Sequence, residues 1–238
     1  LTIPILRELL RDSQKEDVRI LYKVTLPYGI TDRTPHLYRH VSGIYNTIIP
    51  KNDIFTIGIH VRRGDLFLVE SRRMLPNSYY IKLCKYIEKV LQDLNLEFRF
   101  ELYTEIPKED MDITVNNENI VKHITSVEPK REGEEVSMKL TKSQVQIEDF
   151  DILPNLHKFI NEDLEKTFDR MINCDILVTS RSSLSAVASY LKSDGISIYH
   201  PFWHSMLPTD LSVGDKRFQH KFCYYMNSYC IKNRIGLS

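Results

Sequence analysis

The chain has 238 residues, of which 42% are hydrophobic and 27% charged, which is ordinary for a globular protein with one sizeable core or two small lobes. Lysine plus arginine equals aspartate plus glutamate at 32 each, so the net charge argues against nucleic acid or an acidic membrane as a partner. Any anion site must therefore come from a local cluster of positive charge.

The sequence contains no run of about 18 apolar residues and no signal-peptide pattern. It also lacks an Asn-x-Ser/Thr sequon, and together these features favour a cytoplasmic chain without a membrane segment. Because the first residue is Leu1, we suspect a domain taken from a longer, multidomain polypeptide. A Golgi-lumenal location is the alternative if an anchor lies in the missing part.

The four cysteines show neither CxxC spacing nor a zinc-binding pattern with histidine, and we expect no metal site. Cys84 and Cys174 fall in apolar segments and are expected to be buried thiols. Cys223 and Cys230 either remain reduced or pair in an oxidising compartment.

The first 50 residues are expected to form a separate N-terminal segment, and residues 51–238 the main domain. Within that segment the apolar spacing predicts helices over 4–12 and 36–49 and a strand over 18–25.

Residues 54–61 give the clearest strand signal, because they are almost continuously apolar and rich in β-branched residues. A helix is predicted over 77–93 and a strand over 97–104, which completes a βαβ unit. The polar stretch that follows is expected to contain strands near 121–126 and 143–147 and a mobile loop near 128–138.

Helical spacing returns over 155–173, and a buried strand is predicted over 175–180. A helix over 183–192 and a strand over 195–199 follow, and then a polar, aromatic tail. This alternation predicts an α/β fold with a Rossmann-like, doubly wound parallel sheet. Ligands of such sheets bind at the carboxyl ends of the strands, where this sequence has two polar clusters.

The first cluster, His60-Val61-Arg62-Arg63-Gly64-Asp65, follows the best strand. Guanidinium groups bind phosphate oxygens through two hydrogen bonds and neutralise a leaving diphosphate without a metal ion. Asp65 would hold one arginine in place, and Gly64 would allow the backbone to turn. The alternatives are a surface ion network of these charges, or an adhesion tripeptide at Arg63-Gly64-Asp65.

The second cluster, Thr179-Ser180-Arg181-Ser182-Ser183-Leu184-Ser185, follows a strand and opens a helix. Helix N-termini bind phosphate through free N–H groups, and serine hydroxyls add further donors. The simpler alternative is N-capping of the helix by Ser182 or Ser183. Tyr199 and His200, at the end of the last predicted strand, are further candidates for lining a pocket.

The first cluster resembles the HxRRxD motif of the GDP-fucose-dependent α1,2-, α1,6- and protein O-fucosyltransferases, and Pro76…Tyr79-Tyr80 fits the same pattern. The run from Met171 through Ser185 is similar to a later motif of that superfamily, in which a hydrophobic strand leads into a Ser-Ser pair and a helix. Together the two matches span roughly residues 50–200.

The resemblance implies a GT-B-like donor-binding domain whose first 50 residues are either a remnant of the acceptor lobe or a packing extension. It implies that Arg62 or Arg63 binds the β-phosphate in place of a metal ion. It also implies that His60, Ser182 and Ser183 contact the phosphates or ribose, with Ser180 and Ser185 in the same motif.

Glu70 lies ten residues after His60, at the offset of a candidate base in the α1,6-fucosyltransferases. An inverting transfer needs one carboxylate to accept the proton of the acceptor hydroxyl. Asp65 is the rival base, and a solvated loop position near Arg72 and Arg73 is the other interpretation of Glu70.

One departure concerns the nucleobase. The family has an acidic residue before the Ser-Ser motif, where this chain has Thr167, and Asp163, Glu165 or Asp169 is a substitute. Trp203 and His204 are expected to pack as core or lid residues rather than to bind the donor.

The resemblance therefore implies an inverting, metal-independent glycosyltransferase that moves a deoxyhexose, best matched by L-fucose from GDP-fucose, to a glycan hydroxyl. Its ligands would be a sugar nucleotide and a glycan acceptor, with no other cofactor. The alternatives are a different donor, such as UDP- or GDP-linked rhamnose, or a non-catalytic nucleotide- or glycan-binding domain.

Overall fold

The computed structural model describes residues 54–63, 74–106, 111–115, 136–140, 146–192, 194–202, 206–207 and 209–233. The expected N-terminal segment, with its two helices and strand, and the expected strand at 121–126 lie outside these residues.

The elements follow one another as alternating strands and helices. In chain order they are β1 (Phe55–His60), α1 (Asn77–Asp93), β2 (Phe98–Thr104), β3 (Met111–Val115), β4 (Val136–Leu140), a 3₁₀ helix (Ile147–Ile152), β5 (Leu156–Ile160), α2 (Leu164–Asn173), β6 (Ile176–Val178), α3 (Ser183–Leu191), β7 (Ile196–Tyr199), β8 (Leu211–Ser212) and α4 (Phe218–Asn233). None of these helices combines the length and apolar character needed to cross a membrane.

One parallel sheet has the strand order β5-β2-β1-β6-β7-β8, and β3 and β4 form a separate antiparallel pair. The chain builds outward from β1 through β2 to β5, and then returns to the other side of β1 to place β6, β7 and β8. The direction of winding therefore reverses between β1 and β6. The fold is α/β and Rossmann-like, and such a reversal opens a crevice at the carboxyl ends of the two strands.

The central strand β1 is buried along its whole length, as its nearly continuous apolar sequence predicts. On one face of the sheet, Ile57 and Ile59 belong to a core cluster that includes α1 and α4 residues such as Leu83 and Phe222. On the other face, Tyr103 packs in a smaller cluster with residues of α2 and α3. The sheet therefore has helices on both faces, which leaves its carboxyl edge for a ligand.

Gly58 allows a close approach between β1, β2 and α2 on the second face. A Cβ atom at this position would lie 2.8 Å from Cε2 of Tyr103 and 2.9 Å from Sγ of Cys174. The tyrosine ring consequently packs across β1, and its hydroxyl donates to Glu101 Oε2 at 2.7 Å. Burial and the charge of Glu101 both raise the pKa of Tyr103, so this hydroxyl stays protonated.

Four expectations about secondary structure differ from the structure. The predicted helix over 155–173 is a strand, β5, followed by the shorter helix α2. The tail contains the 16-residue helix α4. The expected loop at 128–138 overlaps the start of β4, and residues 146–147, the described end of the expected strand at 143–147, are not strand because Gln146 has a left-handed backbone and caps the 3₁₀ helix.

The cysteines are all free, with Cys84 and Cys174 buried as predicted. Pairing of Cys223 with Cys230 is wrong for this fold, because both lie on α4 seven residues apart. A helix rises about 1.5 Å per residue, so their Cα atoms are roughly 10 Å apart, which is too far for a disulfide.

Candidate functional site

A cleft of about 360 Å³ lies along the carboxyl edge of the sheet. The ends of β1 and β2 form its floor, and the segment from β5 into α2 and the start of α3 form its sides. Its lining residues are His60, Arg62, Arg63, Tyr103, Thr104, Glu105, Glu162, Leu164, Thr167, Ser182 and Leu184. The two polar clusters of the sequence are thus brought to one site.

A buried hydrogen bond joins the ends of β1 and β6. His60 is 7% exposed, and its Nδ1 atom lies 3.0 Å from Oγ of Ser180, which is 2% exposed. Burial, and to a lesser extent the charge of Arg62, lowers the pKa of His60 to about 3. The imidazole is therefore neutral near pH 7 and offers one N–H donor and one acceptor nitrogen.

Arg62 and Ser182 meet where β1 faces the N-terminus of α3. Nη1 of Arg62 donates to Oγ of Ser182 over 3.5 Å, and the same oxygen accepts a hydrogen bond of 3.3 Å from the backbone N–H of Leu184. Ser182 is thus the N-cap of α3, as the simpler interpretation of the motif predicts. Its position in the cleft also places a half-buried guanidinium beside a helix N-terminus, where both favour an anion.

Arg63 has a different environment although it borders the same cleft. It is 5% exposed, and its guanidinium donates to the carbonyl oxygen of Leu75 at 3.0 Å, to that of Arg62 at 2.9 Å and to Oδ1 of Asn77. The amide of Asn77 in turn donates to the carbonyl oxygen of Gln146 at 3.0 Å. Arg63 therefore links the end of β1 to the start of α1, whereas Arg62 contacts the N-cap residue of α3.

No protein-family model matches this sequence, and no curated protein matches it at a significant level. The case for any family consequently rests on the two motifs and on the geometry of the cleft. Gly64, Asp65, Glu70, Trp203 and His204 lie outside the described residues.

Several other predicted site residues are not in the cleft lining. Ser185 is fully buried, and its hydroxyl donates to the carbonyl oxygens of Ser180 and Ser182, which stabilises the turn before α3. Ser183 is exposed at the first position of that helix. Tyr199 and His200 lie at the end of β7, next to β6, and Nδ1 of His200 is 2.9 Å from Nη2 of Arg181.

Glu162 is a cleft residue that the sequence did not reveal. It follows β5, and its carboxylate accepts hydrogen bonds of 3.2 and 3.0 Å from Nε of Arg170 and one of 3.5 Å from Oγ1 of Thr167. None of the three acidic substitutes proposed for Thr167 lines the cleft, and Asp163 caps α2 by accepting from the N–H groups of Glu165 and Lys166. If β5 had been predicted as a strand, Glu162 would have been a candidate site residue, because the carboxyl end of β5 faces the cleft.

The cleft has a different charge at each end. Arg62, Ser182 and the N-terminus of α3 form an electropositive end over β1 and β6. Glu105 and Glu162 place carboxylates over β2 and β5 at the other end. Within the described ranges, no group of three His, Cys, Asp or Glu side chains is arranged to hold a metal ion. The arrangement suits a ligand that is anionic at one end and rich in hydrogen-bond donors at the other.

Proposed function

We propose that this cleft binds a sugar nucleotide and that the protein is an inverting, metal-independent glycosyltransferase of GT-B-like type, with GDP-L-fucose as the best-matched donor. The single observation that carries the proposal is the meeting of Arg62 and Ser182 at the N-terminus of α3. The two residues come from two motifs 120 positions apart in the chain, and they meet at the point where the sheet reverses its winding.

Transfer of a glycosyl group from a nucleoside diphosphate sugar requires the site to stabilise a diphosphate leaving group. Arg62 and the N-terminus of α3 supply a permanent positive charge and oriented N–H groups where the leaving group would develop negative charge. The neutral ring of His60 adds a hydrogen-bonding group without adding charge. Arg63 supports this arrangement by fixing the carbonyl oxygen of Arg62.

A carboxylate must also take the proton from the acceptor hydroxyl. The motif resemblance assigns this role to Glu70, with Asp65 as the rival. Glu162, beside Thr167, is the acidic group that we propose to face the nucleobase, because a carboxylate accepts the two N–H bonds that the edge of guanine offers.

The proposal is tested by titration calorimetry of the protein with GDP and UDP, each with and without EDTA. We expect GDP to bind equally well in EDTA, and Arg62→Ala to weaken that binding at least tenfold, as the loss of a charge-assisted hydrogen bond predicts. Arg217→Ala is the matched control, because its side chain is 75% exposed on the loop before α4.

The other possible results of this titration would each contradict a specific part of the proposal. Binding of UDP alone would reject the fucose assignment, and binding that EDTA abolishes would reject the metal-independent mechanism. The absence of binding to either nucleotide would reject a sugar-nucleotide site altogether. Binding without turnover of any sugar nucleotide would favour a non-catalytic nucleotide-binding domain.

A further inference from the structure

We propose that Glu105 binds the ribose hydroxyls of the donor, so that the site selects a ribonucleotide over its deoxy analogue. This inference rests on the proposed function and adds to it a residue that neither motif contains. Glu105 follows the last residue of β2 and lines the cleft.

Glu105 and Arg62 follow the ends of two paired strands and line the same cleft. His60 of β1 is the Cα partner of Tyr103 of β2, and one further hydrogen bond, from the N–H of Val61 to the carbonyl oxygen of Tyr103 at 2.9 Å, extends this pairing past the end of β1. Arg62 and Glu105 each lie two residues beyond that pair, and both line the cleft. The two strands that lead to them are neighbours, about 4.8 Å apart.

The two cleft carboxylates, Glu162 and Glu105, differ in their partners. Glu162 is paired with Arg170 and accepts from Thr167. Glu105 is exposed, and within the described part of the chain it makes no ion pair. The negative charge of Glu105 repels a diphosphate. The part of the ligand that lies at Glu105 should therefore be a neutral group that donates hydrogen bonds. Hydroxyl groups are such donors, and the carboxylate of Glu105 can accept their hydrogen bonds.

The order of groups in a nucleoside diphosphate matches the order of residues along the sheet edge. With the diphosphate at Arg62 and the N-terminus of α3, the ribose comes next and lies over β2, where Glu105 accepts from its 2′- and 3′-hydroxyls. The base then lies against the first turn of α2, where Leu164 is 58% exposed although it is a large apolar residue. From β6 to β5 the edge spans three strand spacings, or about 14 Å, which an extended nucleoside diphosphate covers.

The test compares GDP with 2′-deoxy-GDP on the whole chain by calorimetry, for the wild type, Glu105→Gln and Glu97→Gln. Glu97 is the matched control, because it is exposed and precedes β2 at the opposite edge of the sheet. We expect the wild type to bind GDP about tenfold more tightly than 2′-deoxy-GDP, as a hydrogen bond to a charged group predicts. Glu105→Gln should remove most of that preference, and Glu97→Gln should leave it unchanged.

Three results would overturn the inference while leaving the proposed function intact, provided that GDP still binds through Arg62. One is equal affinity of the wild type for GDP and its 2′-deoxy analogue. Another is a change of both affinities by the same factor in Glu105→Gln, since that would indicate a charge effect on the diphosphate. The third is unchanged binding of both nucleotides with lost turnover, which would assign Glu105 to the acceptor. Failure of GDP to bind at all would overturn both proposals.

Discussion

The Nδ1 atom of His60 lies 3.0 Å from Oγ of Ser180, and this hydrogen bond joins the ends of two strands that lie on opposite sides of the reversal in the sheet. Both residues are buried, so the bond is shielded from water. The pair belongs to the framework of the cleft, and it couples the stability of the protein to pH.

The first prediction follows from the low pKa of His60, about 3 against an ordinary value of 6.5. A group that stays neutral in the fold but titrates in the unfolded chain contributes stability that is complete above pH 6.5 and is lost as the pH falls towards 3. Between pH 6.5 and pH 5 the free energy of unfolding should fall by about 2 kcal/mol more in the wild type than in His60→Asn.

Urea unfolding at the two pH values measures this difference. Asp210, whose pKa burial raises to about 6, has the opposite dependence, because its stabilising protonated form is lost as the pH rises. That contribution is present in both proteins and cancels in the comparison. Equal pH dependence in the wild type and His60→Asn would show that the ring titrates normally in the fold.

The second prediction separates the roles of the two arginines. Arg63→Ala removes a guanidinium that donates to the carbonyl oxygens of Arg62 and Leu75, and it should lower the free energy of unfolding by roughly 2–4 kcal/mol. Arg62→Ala should change it by less than about 1 kcal/mol, because Arg62 is only partly buried. Denaturant unfolding of both variants measures these changes. A larger loss of unfolding free energy in Arg62→Ala than in Arg63→Ala would assign the structural role to Arg62.

The third prediction concerns Glu70. If this residue is the base, Glu70→Gln should lower the rate of sugar transfer or donor hydrolysis by about 100-fold or more while GDP affinity stays within twofold of the wild type. Glu97→Gln provides the control for a loss of carboxylate elsewhere. An equal rate in Glu70→Gln, together with a large loss in Asp65→Asn, would assign proton transfer to Asp65.

The fourth prediction concerns the turn before β7. Gly195 has a φ of +83°, and a Cβ atom there would clash with the carbonyl oxygen of Asp175, just before β6. Gly195→Ala should therefore lower the free energy of unfolding by at least about 2 kcal/mol. Gly214→Ala, whose Cβ would meet only a side-chain atom of Pro201 at 3.0 Å, should have less than half that effect. Similar losses in both variants would contradict the close approach at Gly195.

The sequence predicted the elements with strong and uniform patterns. Continuous apolar character identified β1 and β6. Regular helical spacing predicted α1 with the same first and last residues as the structure. By contrast, β5 lies at the edge of the sheet and is only partly buried, so its alternation is weak and merges with the spacing of α2. The helix α4 was missed because only a narrow stripe, including Phe222, Met226 and Cys230, is buried.

The candidate site was predicted in part, for a related reason. Motifs show which residues lie close together in the chain, and they brought His60, Arg62 and Ser182 to attention. They do not show tertiary partners such as Leu75 and Asn77, which determine the direction of Arg63. Nor do they reveal Glu162, whose position depends on a strand that its own sequence signals weakly.

The central strand acquires its two neighbours at very different distances along the chain. β2 begins 38 residues after the end of β1, whereas β6 begins 116 residues after it. Pairing across the larger separation closes the longer loop and carries the greater entropic penalty, so we expect the β1–β2 half to fold first and β6 to dock later. The electropositive end of the cleft would then form only when the two halves of the sheet join, and amide protons of β6 should gain protection from exchange after those of β2.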